Sequence, residues 1–177
     1  MTTIAYRDGI ICGDRTLNSR SGFSGAVRKI TMHEETGLLA GYAGAAWAGT
    51  LFLDAVEHSK DPISDLWLPQ DSIGMLVTPK GVITLVQEDV FMVLEDTYYA
   101  IGSGAGYAMA AMKAGAGAID AVMIAASIDP YTKGPFDSLT NHRDNVVSFE
   151  KPKKRKGKRK KGRKSEQETE SGTEVSS

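Results

Sequence analysis

The start of the chain, Met1-Thr2-Thr3 ahead of the strand-like run Ile4-Ala5-Tyr6, combines residue types that can do covalent chemistry. Methionine is normally trimmed when the next residue is as small as threonine, so Thr2 is expected to become the mature N-terminus. Its hydroxyl alone is a weak nucleophile, because it ionises far above neutral pH. Its freed α-amine has an ordinary pKa of roughly 7.7–8, so part of it is neutral near pH 7 and can take the hydroxyl proton. One residue then supplies nucleophile and base together. A Met-Thr start is also common in proteins with no catalytic role, so the rest of the chain has to decide.

The other reactive residues offer less. Cys12 lies inside an apolar run, where a free cysteine is usually an inert small hydrophobe. As the one cysteine of the chain it rules out an internal disulfide and suits a reducing compartment. His33, His58 and His142 lack metal-ligand spacing and no paired cysteines accompany them, so neither a zinc hydrolase nor any other metal site is expected. The run Gly102-Ser103-Gly104-Ala105-Gly106 lacks the Lys-Ser/Thr ending of a phosphate loop, which argues against a nucleotide site.

The elements that must position these residues follow from periodicity. Residues 3–6 and 10–13 read as strands joined by Arg7-Asp8-Gly9, a strong hairpin signal. Residues 14–25 are polar and Gly-rich and read as a loop; 26–32 and 38–42 read as two further strands. From Gly44 to Ser59 the period changes, with Ala48, Leu51, Phe52, Ala55 and Val56 on one helical face. Residues 61–70 hold two prolines and read as irregular. Strands are expected at 72–77, 81–87, 90–94 and 98–101, then helices at 105–114 and 118–128, the second stopped by Asp129-Pro130. Strands grouped in runs imply antiparallel sheets in an α+β fold, with helices on the outer faces.

The 177 residues suffice for one domain with a proper core. No basic-then-apolar leader opens the sequence and no apolar run has membrane-span character, so a cytoplasmic protein without membrane contact is expected. The net charge of −1 conceals a division: residues 1–150 carry −8, 151–164 carry +11 and 165–177 carry −4. We expect a packed domain over 1–137, a last strand or linker over 138–150, a disordered basic segment over 151–164 and a disordered polar, acidic tail over 165–177. The basic segment, from Lys151 to Lys164, is dense enough for nucleic acid or another polyanion, with affinity falling steeply with salt. It has no aromatic residue for base stacking, and an acidic protein surface is the other partner it would suit.

Six short pieces in order carry a resemblance. They are Thr2-Thr3-Ile4, Gly13-Asp14, Val27-Arg28-Lys29-Ile30, Ala40-Gly41-Tyr42-Ala43-Gly44, Ala100-Ile101-Gly102-Ser103-Gly104 and Asp129-Pro130-Tyr131-Thr132. Together, over about residues 2–137, the set resembles the proteasome-type threonine peptidases, above all HslV, the peptidase component of the bacterial two-part ATP-dependent protease. The resemblance implies a four-layer α-β-β-α N-terminal nucleophile hydrolase sandwich of two antiparallel sheets. It implies Thr2 as nucleophile, Asp14 as the acidic residue closing the second strand and Lys29 as the basic residue of the third. An ammonium there would keep the Thr2 amine neutral, and Asp14 would hold that ammonium charged. Arg28 would take the place of Lys29 if the register were shifted by one, since neighbours in a strand face opposite ways. Gly41 matches the position whose N–H meets the oxyanion, though Gly41 and Gly44 can equally be a strand end and a helix start. Ser103, which could also be a plain N-cap, matches the serine near the catalytic amine, and Asp129 with Thr132 the pair that completes the network.

The resemblance also implies a self-compartmentalising homo-oligomer of rings, unfolded polypeptide as substrate, no cofactor, and a separate AAA+ unfoldase. Three departures stand out. The family's second helix after the Gly41-like position is absent, Thr132 and Lys133 replace the commoner Ser and Gly, and the basic tail has no counterpart in HslV. Short chains of this kind look like proteasome-type genes of tailed bacteriophages, which would place the protein in a bacterial or phage-infected cell. The competing expectations are an assembly or nucleic-acid-tethering protein with little or no hydrolysis, and an amidase acting on a small amide.

Overall fold

A computed structural model describes residues 2–18, 24–64 and 66–141. In chain order the elements are β1 (Thr3–Arg7), β2 (Ile10–Asp14), β3 (Thr16–Asn18), β4 (Ser24–Ala26), β5 (Ile30–His33), β6 (Leu38–Ala43) and α1 (Ala46–His58). There follow β7 (Ile73–Val77), β8 (Ile83–Gln87), β9 (Val90–Val93), β10 (Tyr98–Gly102), α2 (Ala105–Lys113), α3 (Ala118–Ile128) and β11 (Phe136–Thr140). One sheet has the order β10-β1-β2-β11 and the other β5-β6-β7-β8-β9, and all their pairings are antiparallel. The β1–β2 hairpin turns through Asp8 and Gly9, both at positive φ (49° and 80°), as a two-residue connection matched to strand twist requires.

Strand alternation sorts the core into three clusters. Ile4, Tyr6, Ile11, Leu39, Met75 and Val77 turn toward one another from both sheets. On the opposite face of the larger sheet, Leu38, Ala40, Tyr42 and Leu76 meet Phe52, Leu53 and Val56 of α1. On the opposite face of the smaller sheet, Ala5, Cys12 and Ala100 meet Ala108, Met112, Ala121, Val122 and Ala125 of α2 and α3. The small residues of that third cluster let the two helices lie close over β1 and β2.

The structure corrects three expectations. The stretch 14–25 is not all loop: β3 and β4 form a two-stranded ribbon within it, Thr16 opposite Ala26. Alternation there is too short and too polar to register as a strand pattern. The next strand begins only at Ile30, because residues 27–29 leave the sheet, Val27 N–H donating to the Arg15 carbonyl. The face of α1 is also rotated from the expected one. Ala48, Gly49, Phe52, Leu53 and Val56 are buried, whereas Leu51 is 63% exposed and Ala55 lies outside. Gly49 explains the rotation: a Cβ there would fall 1.7 Å from the buried Tyr42 ring, so the helix leans its glycine onto the sheet.

Between α1 and β7 the described residues form no helix, in keeping with the two prolines. The segment still contributes to the core, since Leu66 and Leu68 are buried beneath α1 and Leu68 bridges to Glu88. Strand β11 crosses the expected boundary at residue 137 and pairs with β2, from Phe136 opposite Asp14 to Thr140 opposite Ile10. His142 and the segments 142–150, 151–164 and 165–177 lie outside the described residues. Among the described residues, no helix is long and apolar enough to cross a membrane.

Replacing Gly49 by alanine sets two effects against each other. Helix propensity favours alanine by about 0.5–1 kcal/mol. Overpacking against a buried ring costs typically about 1–3 kcal/mol, and here the obstacle is a ring with no room to move. Gly49→Ala is therefore expected to destabilise the fold, read as a lower urea midpoint at unchanged slope.

Candidate active site

Asp14, at the end of β2, is fully buried and accepts three hydrogen bonds. The Thr3 N–H donates to Oδ1 at 2.8 Å, and the Thr16 N–H and Lys29 Nζ each donate to Oδ2 at 2.9 Å. Lys29 Nζ also donates to the Thr16 carbonyl at 2.6 Å. The side chains of this ion pair are 3% and 0% exposed. Burial pulls the Lys29 pKa below its ordinary value, although the hydrogen bond and charge of Asp14 pull it back up. Lys29 sits just before β5, and its carbonyl is held by the Tyr42 N–H of β6. Arg28 points away and pairs with Glu57 of α1 at 2.6 Å, so the register is the one that places Lys29, not Arg28, beside Asp14.

A second buried carboxylate lies just beyond α3. Asp129 Oδ2 accepts from Thr132 Oγ1 at 2.6 Å and from Ser103 Oγ at 2.8 Å, and Oδ1 accepts from the Tyr131 N–H at 3.1 Å. Burial alone would raise its pKa; the donors from Thr132, Ser103 and Tyr131 outweigh that and hold the carboxyl below its ordinary range. Ser103 Oγ lies 3.4 Å from the Thr2 carbonyl oxygen, and Thr3 Oγ1 lies 2.6 Å from Thr132 Oγ1. Two glycines make this approach feasible. A Cβ on Gly102, which has φ +99°, would fall 1.9 Å from the Thr2 carbonyl oxygen, and one on Gly104 would fall 2.2 Å from Thr3 Oγ1.

Thr2, Asp14, Lys29, Ser103, Asp129 and Thr132 thus stand in one connected network although their positions span the chain. Thr2 is itself buried, immediately ahead of β1. Ile4 faces the other sheet and Ala5 the helices, so alternation continued by two residues puts the Thr2 side chain on the face between the sheets.

Gly41 does not join this network. It lies within β6 between Ile30 and Met75. Because the next residue, Tyr42, donates its N–H toward β5, the Gly41 N–H is turned into the ladder with β7. Its missing side chain has a packing reason: a Cβ would fall 2.8 Å from Ile4, with Ile11 and Ile30 also close. Ala43, by contrast, borders Gly102 across from Thr2. Gly44 follows it at φ +138°, exposed, with no hydrogen-bond partner for its N–H among the described residues.

Sequence reasoning missed Thr3, Thr16, Gly102 and Gly104, and passed over the Gly44 N–H. The repeated threonine at the start and the glycines flanking Ser103 were the available signals. Thr16 carried none, because its contributions are a backbone N–H and a backbone carbonyl.

No protein-family model and no curated protein matches the sequence. Solved structures do. BPH of Thiobacillus denitrificans aligns with a TM-score of 0.57 at 20% identity, over 78% of this chain and 95% of that one. The same protein in complex with epoxomicin gives 0.55 at 20% identity, over 78% and 96%. Eukaryotic HslV from Trypanosoma brucei gives 0.55 at 16% identity, over 78% and 97%. The fold is that of the HslV-like proteasome-type peptidases. At these identities the likeness concerns the fold, which spans nearly the whole of each HslV-like neighbour.

Two measurements check the electrostatics of the site. Burial pushes the Cys12 thiol up to about 11, so at pH 8 the native protein is expected to resist alkylation and to react only on unfolding. Removing one member of a buried ion pair strands the other, at a cost of roughly 3–5 kcal/mol. Asp14→Ala should lose about that much in chemical denaturation, and adding Lys29→Met should recover part of it.

Proposed function

We propose that the chain is a threonine-type endopeptidase, built as a four-layer α-β-β-α N-terminal nucleophile hydrolase, with Thr2 as nucleophile once Met1 is removed. The observation that carries this is that the Thr2-Thr3 unit is tied to two buried carboxylates, to Asp14 directly and to Asp129 through Thr132, with a buried lysine paired to the first and a serine bonded to the second, within a fold like that of HslV. In this reading the Thr2 α-amine takes the Oγ1 proton as Oγ1 attacks a peptide carbonyl. The tetrahedral intermediate collapses to an ester on Thr2, and the amine passes its proton to the leaving peptide nitrogen. Water, deprotonated by the same amine, then attacks the ester carbonyl, and Oγ1 leaves with a proton.

The groups around Thr2 take supporting parts. The Lys29 ammonium disfavours protonation of the α-amine and keeps it available as base, while Asp14 keeps Lys29 charged. Ser103, Asp129 and Thr132 orient the threonine. We assign the oxyanion donor to the Gly44 N–H, which has no partner among the described residues, in preference to Gly41, whose N–H is engaged in the sheet. Removing such a donor typically costs about 2.7–4 kcal/mol of transition-state stabilisation. No cofactor enters this scheme.

The same reading places the active form in a homo-oligomer fed with unfolded polypeptide by a separate AAA+ unfoldase. Its support is the apolar surface left outside: Trp47 and Leu51 on α1, and Ile119, Met123, Ile124 and Ile128 on α3. Contiguous exposed apolar patches of this kind mark interaction sites. The basic segment 151–164 would add a salt-sensitive polyanion contact to such an assembly. That segment is also what a tethering protein without hydrolysis would use.

Intact mass after treatment with a peptide epoxyketone of the epoxomicin type checks the nucleophile. The expected result is loss of Met1 and a single adduct, absent from Thr2→Ala. A trimmed wild-type chain that stays unmodified at high reagent concentration would reject the peptidase in favour of the tethering role.

A further inference from the structure

Thr3 is wholly buried, yet its N–H and its hydroxyl are both engaged, and each leads to a different carboxylate. Its N–H donates to Asp14 Oδ1 at 2.8 Å. Its hydroxyl lies 2.6 Å from the Thr132 hydroxyl, which is itself 2.6 Å from Asp129 Oδ2. The direction of the second contact follows from counting protons. A hydroxyl has one. Held below its ordinary pKa, Asp129 is ionised and accepts only, so the Thr132 proton goes to Asp129. The proton between Thr3 and Thr132 therefore belongs to Thr3. The result is a directed chain from the Thr3 O–H through the Thr132 O–H to the Asp129 carboxylate.

The same count applies to Ser103. Its single proton is committed to Asp129 at 2.8 Å, so the 3.4 Å approach to the Thr2 carbonyl is a contact rather than a second hydrogen bond. No side chain other than Ser103 is within hydrogen-bond distance of Thr2 among the described residues. The restraint on the residue proposed to attack must therefore come largely through its covalent neighbour, Thr3.

We propose that Thr3 is a positioning residue for the peptidase reaction. Its N–H on Asp14 and its hydroxyl, through Thr132, on Asp129 fix the start of β1 between two buried carboxylates and so set where Thr2 presents its hydroxyl. This rests on the reading of Thr2 as nucleophile. Gly104 belongs to the same device, because any side chain there would displace the Thr3 hydroxyl. A threonine fits this position better than a serine-sized or apolar residue would: the β-branched side chain has a restricted χ1, so its hydroxyl is already aimed.

The test compares rates of epoxyketone adduct formation, resolved into a limiting rate and a half-saturating concentration. The proteins are the full chain, Thr3→Val, Thr3→Ser, Thr132→Val, Thr132→Ser and the double valine variant, each with Met1 removal verified by mass and folding by a cooperative melt. Thr3→Val keeps shape and strand propensity and loses only the hydroxyl. Its limiting rate should fall about tenfold, as loss of one buried hydrogen bond would give, with half-saturation within about twofold of wild type. Thr3→Ser should restore most of the rate, and the double variant should be no slower than Thr132→Val alone. A folded Thr3→Val reacting at the wild-type rate overturns the proposal, and so does a Thr3→Ser as slow as Thr3→Val, because restoring the hydroxyl would then not restore the reaction. If Thr3→Val does not melt cooperatively, the Thr132 pair decides. Slow valine and restored serine support the chain of hydroxyls; equal rates for both overturn it. A wild-type chain that forms no adduct overturns the peptidase reading itself, which separates that failure from the failure of the positioning role alone.

Discussion

An ammonium group out of water is tolerated only where a carboxylate and further acceptors surround it. The Lys29–Asp14 pair imposes that condition on this fold, and much of the local architecture answers to it. Asp14 must be dry, so it closes β2 beneath the β3–β4 ribbon. Lys29 must reach it from the other sheet, so the chain leaves the ribbon at residues 27–29 before β5 begins. The Thr16 carbonyl supplies a further acceptor and the Thr3 N–H uses the carboxylate's other oxygen. One ionic contact thereby ties the start of β1, the end of β2 and the approach to β5 to a single point at the edge of the two sheets.

The second carboxylate works by different physics. Asp129 forms no side-chain ion pair among the described residues; two hydroxyls and a backbone N–H donate to it and, with the charge of the N-terminus, hold it ionised. The pair of sites is thus asymmetric. One is a carboxylate paired with an ammonium, and the other is a carboxylate held by hydroxyls. The Thr2-Thr3 unit lies between them, with the Thr3 N–H on the first and the Thr3 hydroxyl linked through Thr132 to the second.

Much of this was legible in the sequence, and the parts that were not share a cause. The hairpin through Asp8-Gly9, the change of period after Gly44 and the stop at Asp129-Pro130 all come from local chemistry, and the elements sit where that chemistry puts them. Asp14, Lys29, Ser103, Asp129 and Thr132 could be picked out because each stands in a short piece with a familiar neighbourhood, and the fold gathers them. The failures are tertiary. Nothing local to α1 says that Gly49, not Leu51, meets Tyr42. Nothing local to β6 says whether the Gly41 N–H faces substrate or the next strand; only the pairing with β5 and β7 decides. Thr16 acts through its backbone, and a backbone group has no letter in the sequence.

The exposed face of α1 has a spectroscopic consequence. The chain has two tryptophans, and both Trp47 and Trp67 are more than half exposed. Indole emission shifts to shorter wavelength when the ring leaves water, and unfolding an isolated protomer would move these rings from one aqueous setting to another. The tryptophan emission of this protein is therefore a weak reporter of its folding. What it registers is whatever comes to lie against α1 and the connection that follows it. A blue shift that grows with protein concentration would be a record of neighbours arriving, legible without any label.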